Sequence, residues 1–272
     1  MIRVAIVGVT GRMGSAVVRG AAEIPELGIT GAIASKGSSA LGRDAGELAG
    51  MRNIGVAVTS DLPAALAAAD VAIDFSNSRA TAGNLAACRA ARTALLLGTT
   101  GFAAELDADF AAAGREIPLL VAPNTSVGIA VLLELVRDAA KALPATFDIE
   151  IVEAHHRMKR DAPSGTALAL GNAAAVARRG TELTQNEVEL ARVGDSAPRR
   201  EGEIGFAVTR GGDIVGEHTV LFAGNGERLT LSHSATERAI FARGALQAAA
   251  WLAGRPPGRY FMRDFLFNKS KG

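Results

Sequence analysis

At 272 residues, with 49% hydrophobic and 21% charged side chains, the chain is long enough for one large or two modest domains and too apolar to be disordered. Its 29 Lys and Arg against 28 Asp and Glu leave a formal charge of +1, which gives no footprint for nucleic acid as the main partner. The single cysteine, Cys88, excludes an internal disulfide framework and a multi-cysteine metal site, and no run of about 18 apolar residues marks a membrane span. The early glycines of MIRVAIVGVTG do not suit a signal peptide, so the cytoplasm is the expected compartment.

Residues 2–7, IRVAIV, are a β-branched run that reads as a buried strand, and GVTGRMG leads from it into a helix at SAVVRGAAE. Leu27–Ala34 reads as a second strand, residues 35–46 as loop and Val56–Thr59 as a short strand. Asp61-Leu62-Pro63 opens a helix by N-cap logic. Val71–Phe75 is the next strand, and SNSRATAGNLAACRAA its helix, with Cys88 as a small core residue. TALLLGTTGF (93–102) and PLLVAPN (118–124) are strands running into turns. Such strands, alternating with helices over about 120 residues, predict a doubly wound parallel sheet.

The pattern changes after Asn124. SVGIAVLLELVRDAAKAL reads as a long helix, FDIEIVEAHH as a half-buried strand from Phe147, and PSGTALALGNAAAVARR as another helix. A polar stretch, about 181–203, precedes three strand-like runs, IGFAVTR, IVGEHTVLFA and RLTLSHSA, joined by GGD and GNGE turns. These predict an antiparallel or mixed sheet. A last helix, about 236–253, and YFMRDFLF close the chain. The expected division is therefore a Rossmann-like domain over 1–125 and 236–272, and a smaller α+β domain over 126–235.

Gly8, Gly11 and Gly14 follow the first strand and open the first helix. Gly8 permits a tight turn, Gly11 lets a phosphate approach the backbone, and Gly14 lets helix and strand pack closely. The helix N-terminus then offers N–H groups to a pyrophosphate, with Arg12 nearby. The spacing is GxxGxxG rather than GxGxxG, and its place at the start of a βαβ unit is what points to a dinucleotide. An NAD site expects a carboxylate at the end of the second strand; the sequence there is Ile33-Ala34-Ser35-Lys36. Ser35 and Lys36 suit a 2′-phosphate instead, which favours NADPH, or use of both NADPH and NADH.

The second cluster is EAHHRMKRDAPSGT, residues 153–166. Arg157, Lys159 and Arg160 supply charge, Ser164 and Thr166 hydroxyls, and the SGT helix start backbone N–H donors, an arrangement that traps anions. His and Lys are also side chains able to deliver a proton near neutral pH. Hydride donor, proton donor and anion clamp together suit reduction of an unsaturated carboxylate. Adjacent histidines also suit a metal, but no third ligand lies near them in sequence, and no metal is expected.

On VGVTGRMG, DFS (74–76), GTTGF, APNTSVG, EAHHRMKRDAPSGTAL and GDIVGEHTV, the chain resembles, over essentially its whole length, the dihydrodipicolinate (4-hydroxy-tetrahydrodipicolinate) reductases of bacterial lysine and diaminopimelate synthesis. The resemblance implies NAD(P)H-dependent reduction of a cyclic dicarboxylate imine by a homotetramer, with His155 as catalytic histidine and Lys159 as proton-donating lysine oriented by it. It implies His156 and Ser164, Gly165 and Thr166 as substrate carboxylate ligands, with Lys159 adding charge. Gly8, Arg12, Met13 and Gly14 match the dinucleotide loop. Gly98, Thr99 and Thr100, with Ala122, Pro123 and Asn124, resemble the loops that hold the nicotinamide, and Phe75 the residue beside it. Ala34 stands where many members have an acidic residue, Met158 where some have a third histidine, and Thr125 where some have an aromatic. The residues leave open whether His155 or Lys159 is the final proton donor, and whether Arg238 and His218 border the site or are structural. Another Rossmann reductase, such as a semialdehyde dehydrogenase, would need a nucleophilic cysteine, and a nucleotide sensor would not need the His155, Lys159 and Ser164–Thr166 set.

Overall fold

Apolar runs become strands and the segments between them helices, in the order β1 (Ile2–Val7), α1 (Arg12–Ala21), β2 (Leu27–Ile33), α2 (Ala45–Leu48), β3 (Val58–Thr59), α3 (Leu62–Ala67), β4 (Val71–Asp74), α4 (Thr81–Ala91), β5 (Ala94–Leu97), α5 (Leu106–Ala113), β6 (Pro118–Val121) and α6 (Val127–Ala142). Then follow β7 (Asp148–His155), α7 (Gly165–Arg179), β8 (Val188–Glu189), β9 (Ile204–Arg210), β10 (Gly216–Gly224), β11 (Glu227–Ala235), α8 (Ala239–Leu252), β12 (Gly258–Tyr260) and α9 (Met262–Phe267). The computed structural model describes residues 1–102, 105–184, 187–190, 192 and 198–267. Of the polar stretch expected at 181–203, residues 185–186, 191 and 193–197 lie outside these. The chain divides into two compact units, Met1–Val127 with Ala239–Gly272, and Gly128–Arg238.

The first unit is a Rossmann-like parallel sheet of seven strands in the order β12-β6-β5-β4-β1-β2-β3. β4 and β5 are buried throughout and β1 from Val4 to Val7, as expected of parallel strands covered on both faces. Leu66, Leu85, Cys88, Phe110 and Ile117 belong to the core cluster that also holds Ala72, Leu95 and Leu97 of the sheet. α8, rich in buried alanine, contacts α1 and strands β4, β5 and β6. The short strand expected at Val56–Thr59 forms as the two-residue β3 at one edge, and β12, which the sequence did not announce, adds a strand at the other. The helix expected from Ser76 starts only at Thr81, because Asn77 Oδ1 accepts the Arg79 and Ala80 N–H groups and holds a turn there.

The second unit is a mixed five-stranded sheet, β11-β10-β7-β9-β8. β10 runs antiparallel to β7 and β11, while β9 is parallel to β7 and β8. β10 starts at Gly216 rather than Ile214, whose carbonyl instead accepts the His156 N–H at 2.8 Å. Asn225 and Gly226, with Gly226 at φ +83°, turn β10 into β11. One sheet face buries Ile149, Ile151, Phe206, Val220 and Phe222 with α6 and α7 residues such as Leu132, Val136 and Leu170. No helix among the described residues is long and apolar enough to cross a membrane.

Candidate functional site

The strands of the first unit end level. Register places Ile33, Val7, Asp74, Leu97 and Val121 in one row across β2, β1, β4, β5 and β6. The next residue on each strand then hangs from a neighbour's carbonyl. Gly8 N–H donates to Ile33 O at 2.9 Å, Phe75 N–H to Val7 O at 3.1 Å, Gly98 N–H to Asp74 O at 2.9 Å and Ala122 N–H to Leu97 O at 2.9 Å. The expected cofactor residues thus lie along one carboxyl edge of a parallel sheet. The strand order reverses at β1, the place where open α/β sheets bind ligands.

Gly8 has φ +84°, and a Cβ there would meet Ser76 Cα at 2.7 Å. At Gly14 a Cβ would lie 2.3 Å from Gly8 O and 2.6 Å from Val9 Cα. The two glycines therefore set the tight turn and the close helix approach expected of them. Gly11 is the N-cap of α1, and no side chain caps that end. Arg12 is exposed and Met13 half-buried. Past β2, Ala34 is buried while Ser35 and Lys36 are exposed. The Phe75 ring lies over Gly98, where a Cβ would fall 2.1 Å from Cε1. Thr99 is buried; Thr100 and Pro123 are exposed; Asn124 Oδ1 accepts the Ser126 N–H at 2.9 Å. Thr125, for which the sequence suggests no role, donates its hydroxyl to Phe241 O at 2.7 Å and so ties α8 to this edge.

Asp74, the first residue of the DFS motif, is a further residue of this edge, one to which the sequence assigns no role. Fully buried, its carboxylate accepts from Ser76 N at 2.7 Å, Asn84 Nδ2 at 2.8 Å and Thr99 Oγ1 at 3.3 Å, and so joins the loops after β4 and β5. A carboxylate closing the apolar strand VAID is the available signal. Cys88 is fully buried, and burial, with Asp74 nearby, pushes its thiol up to about 12, so it is unsuited to act as a nucleophile.

In the second unit, alternation along β7 carries the apolar face Ile149, Ile151 into Glu153 and His155. Arg210 pairs with His155 across β9, and His218 with Glu153 across β10. Glu153, 1% exposed, receives Arg210 through Nη1 at 2.8 Å and Nη2 at 2.9 Å, the Ser164 N–H at 2.9 Å and His155 Nδ1 at 2.5 Å. Burial works to raise its carboxyl, but these partners outweigh burial and hold it below the usual range. For His155, burial outweighs the pull of Glu153, and the imidazole lies below its ordinary value. His218 stacks edge-on to His155, with ring centres 5.1 Å apart, and its Nε2 stands 3.1 Å from Ser164 Oγ; burial lowers it to about 4.

Ser164 caps α7, its Oγ accepting the Ala167 N–H at 3.1 Å, and is 2% exposed. Both its N–H and its Oγ are thus engaged within the fold, and the exposed Gly165 and half-buried Thr166 follow it. Lys159 Nζ pairs with Asp161 at 2.9 Å, whereas His155 pairs with Glu153. His156 is half-buried; Arg157, Arg160 and Arg238 are exposed. His218, left open by the sequence, joins the His155–Ser164 cluster. Glu153 and Arg210 are the residues sequence reading missed, though the E of EAHH sits two residues before His155, on the same strand face. Among the described residues, no three His, Cys, Asp or Glu side chains form a group able to hold a metal.

The chain matches "Dihydrodipicolinate reductase, N-terminus" over residues 2–125 and "Dihydrodipicolinate reductase, C-terminus" over residues 128–266. It is 49% identical over 266 residues to the 4-hydroxy-tetrahydrodipicolinate reductase of Anaeromyxobacter dehalogenans, covering 98% of each chain. It is 53% identical over 265 residues to that of Alkalilimnicola ehrlichii, covering 97% of this chain and 98% of the relative. Its fold resembles dipicolinate-bound dihydrodipicolinate reductase from Paenisporosarcina sp. TG-14, with a TM-score of 0.74 at 24% identity, over 96% of this chain and 97% of that one. The glycine-lined sheet edge, the Glu153–His155 strand end and these full-length matches converge: the chain belongs to the dihydrodipicolinate reductase family.

Proposed function

We propose that the protein catalyses NAD(P)H-dependent reduction of 4-hydroxy-tetrahydrodipicolinate to tetrahydrodipicolinate in diaminopimelate and lysine biosynthesis. The observation that carries this reading is the strand-end cluster of Glu153, His155, Arg210, His218 and Ser164, followed directly by the Lys159 loop, in a chain of this family.

The first unit serves as the dinucleotide-binding domain. The cradle at Gly8 and Gly14, which a Cβ would fill, and the α1 terminus without a side-chain cap fit a pyrophosphate. Gly11, Arg12 and Met13 border that position. Phe75, Gly98, Thr99, Thr100, Ala122, Pro123 and Asn124 serve the nicotinamide end. Ser35 and Lys36, with no carboxylate at residue 34, support a 2′-phosphate and hence NADPH over NADH. The nicotinamide, when bound, supplies a hydride to C4 of the substrate.

The second unit serves as the substrate-binding and oligomerisation domain. His156, Lys159 and the Ser164-Gly165-Thr166 helix start hold a substrate carboxylate, with Lys159 adding a charge-assisted bond. The 4-hydroxyl leaves as water, giving a double bond conjugated with the ring imine. Lys159 returns a proton to the ring carbon that gains the electron pair displaced by the hydride. His155 borders this proton path. The exposed Val152 on the sheet face opposite α6 and α7 supports burial against further copies of the chain, in the homotetramer implied by the resemblance. A cytoplasmic location belongs to the same reading.

The test follows NADPH absorbance with freshly made product of the preceding synthase. Oxidation of NADPH dependent on that substrate is expected; none, with the protein folded, overturns the reading. Run in parallel, NADH is expected to be the poorer donor, and Lys36→Ala to raise the KM for NADPH while leaving that for NADH unchanged.

A further inference from the structure

No role toward the substrate is assigned above to Glu153 itself, yet every acceptor position of its carboxylate is taken. A carboxylate offers about four lone-pair sites, and Glu153 receives His155 Nδ1, the Ser164 N–H and two nitrogens of Arg210. The Arg210 fork is bidentate, the geometry that most favours the ionised acid. An ionised carboxylate only accepts hydrogen bonds, so the atom of His155 facing it must carry a proton.

The other ring nitrogen has different surroundings. His155 Nε2 faces the start of β10 at Gly216, where an added Cβ would stand 3.0 Å away. The groups facing the imidazole from each neighbouring element are Glu153 on its own strand, Arg210 on β9, His218 on β10 and Lys159 on the following loop. Arg210 and Lys159 disfavour a second positive charge; Glu153 favours one; and the ring is 8% exposed, so burial adds to the first two. His155 is thus neutral, with its one proton on Nδ1.

We infer that Glu153, clamped by Arg210, is a positioning residue that fixes His155 as the Nδ1–H tautomer, so that His155 presents Nε2 as an acceptor and leaves the proton transfer to Lys159 as proposed above. The inference rests on the reductase reading for its catalytic part and on the geometry alone for the tautomer. Lys159 passes one proton from its ammonium to the ring carbon and regains one from solvent; His155 stays neutral throughout. The arrangement shares with the Ser-His-Asp triad a buried carboxylate that fixes the tautomer and orientation of an imidazole.

The test has two arms. In the wild-type protein labelled with 15N-histidine, with His155→Gln identifying the resonance, NMR near neutral pH is expected to show His155 protonated on Nδ1 and bare on Nε2. A proton on Nε2, or an imidazolium, overturns the inference. In the second arm, Glu153→Gln is compared with wild type in steady-state reduction. The amide can donate or accept and no longer dictates the tautomer, so kcat is expected to fall at least about tenfold with KM less changed. Loss of the anion also removes support for the imidazolium, so the acidic limb of the kcat/KM profile moves to lower pH. An unmoved or raised limb overturns the inference. A wild-type protein with the Nδ1–H tautomer but no turnover overturns the reductase reading and leaves the tautomer assignment standing. Turnover with the Nε2–H tautomer overturns the assignment alone. The first arm uses wild-type protein and holds even if Glu153→Gln fails to fold.

Discussion

Arg210 on β9 and Glu153 on β7 meet through two N–H···O bonds of 2.8 and 2.9 Å, and the carboxylate end of the pair is 1% exposed. Arg210 also donates to the carbonyls of Thr209 at 2.8 Å and Asp161 at 2.6 Å, so the same guanidinium fastens the loop that carries Lys159. Removing one partner of a buried ion pair leaves the other charge uncompensated. Arg210→Met is therefore expected to cost about 3–5 kcal/mol in urea denaturation at neutral pH. A loss under about 1 kcal/mol would show that Glu153 does not depend on this partner.

Stability should also fall on mild acidification, through His218. Burial lowers its imidazole from 6.5 to about 4. Below 6.5 the unfolded chain binds a proton that the folded chain refuses until about 4, so stability declines as pH drops through that window. At about 1.4 kcal/mol per unit the decline is of order 3 kcal/mol. His155, lowered mainly by burial, acts in the same sense. Glu153, held low despite burial, adds a further loss at more acid pH, as its carboxylate is protonated in the fold. His218→Gln should flatten the pH dependence of the denaturation midpoint between the two values. An unchanged slope would refute the assignment to His218.

Lys159 offers a separation of chemistry from stability. Its side chain is 21% exposed and its partner Asp161 60% exposed, so the ion pair contributes about 0–1 kcal/mol. Lys159→Ala should reduce turnover at least about 10²-fold, the scale of a lost general acid, while the melting temperature hardly moves. Near-normal turnover in this variant would remove Lys159 from the mechanism.

Two glycines predict opposite outcomes. Gly14→Ala places a methyl 2.3 Å from Gly8 O, a backbone atom that cannot move without opening the β1–α1 turn. Calorimetric titration with NADPH should show binding weakened at least about tenfold, about 1.4 kcal/mol or more. Gly165→Ala adds a methyl with nothing within 4 Å, and its thermal stability should match wild type or exceed it slightly. NADPH binding by Gly14→Ala at wild-type strength would detach the glycine cluster from the dinucleotide.

The sequence by itself determined what is local. Apolar runs alternating with helical periodicity specify a parallel sheet because each run must be buried on both faces. GVTGRMG names its own turn because a positive φ at Gly8 and the packing at Gly14 depend on chain neighbours. Ser164 is legible as a helix cap for the same reason. Tertiary structure alone decided which polar groups share a buried environment. Arg210 reaches Glu153 from 57 positions away, Ser164 meets His218 across 54, and Thr99 meets Asp74 across 25. β12 exists as a strand because β6 lies beside it, its three residues carrying too little pattern to declare themselves. The physical reason is common to all of these: strand register sets which side chains face one another, and each buried polar group then needs a partner that only the assembled sheet supplies.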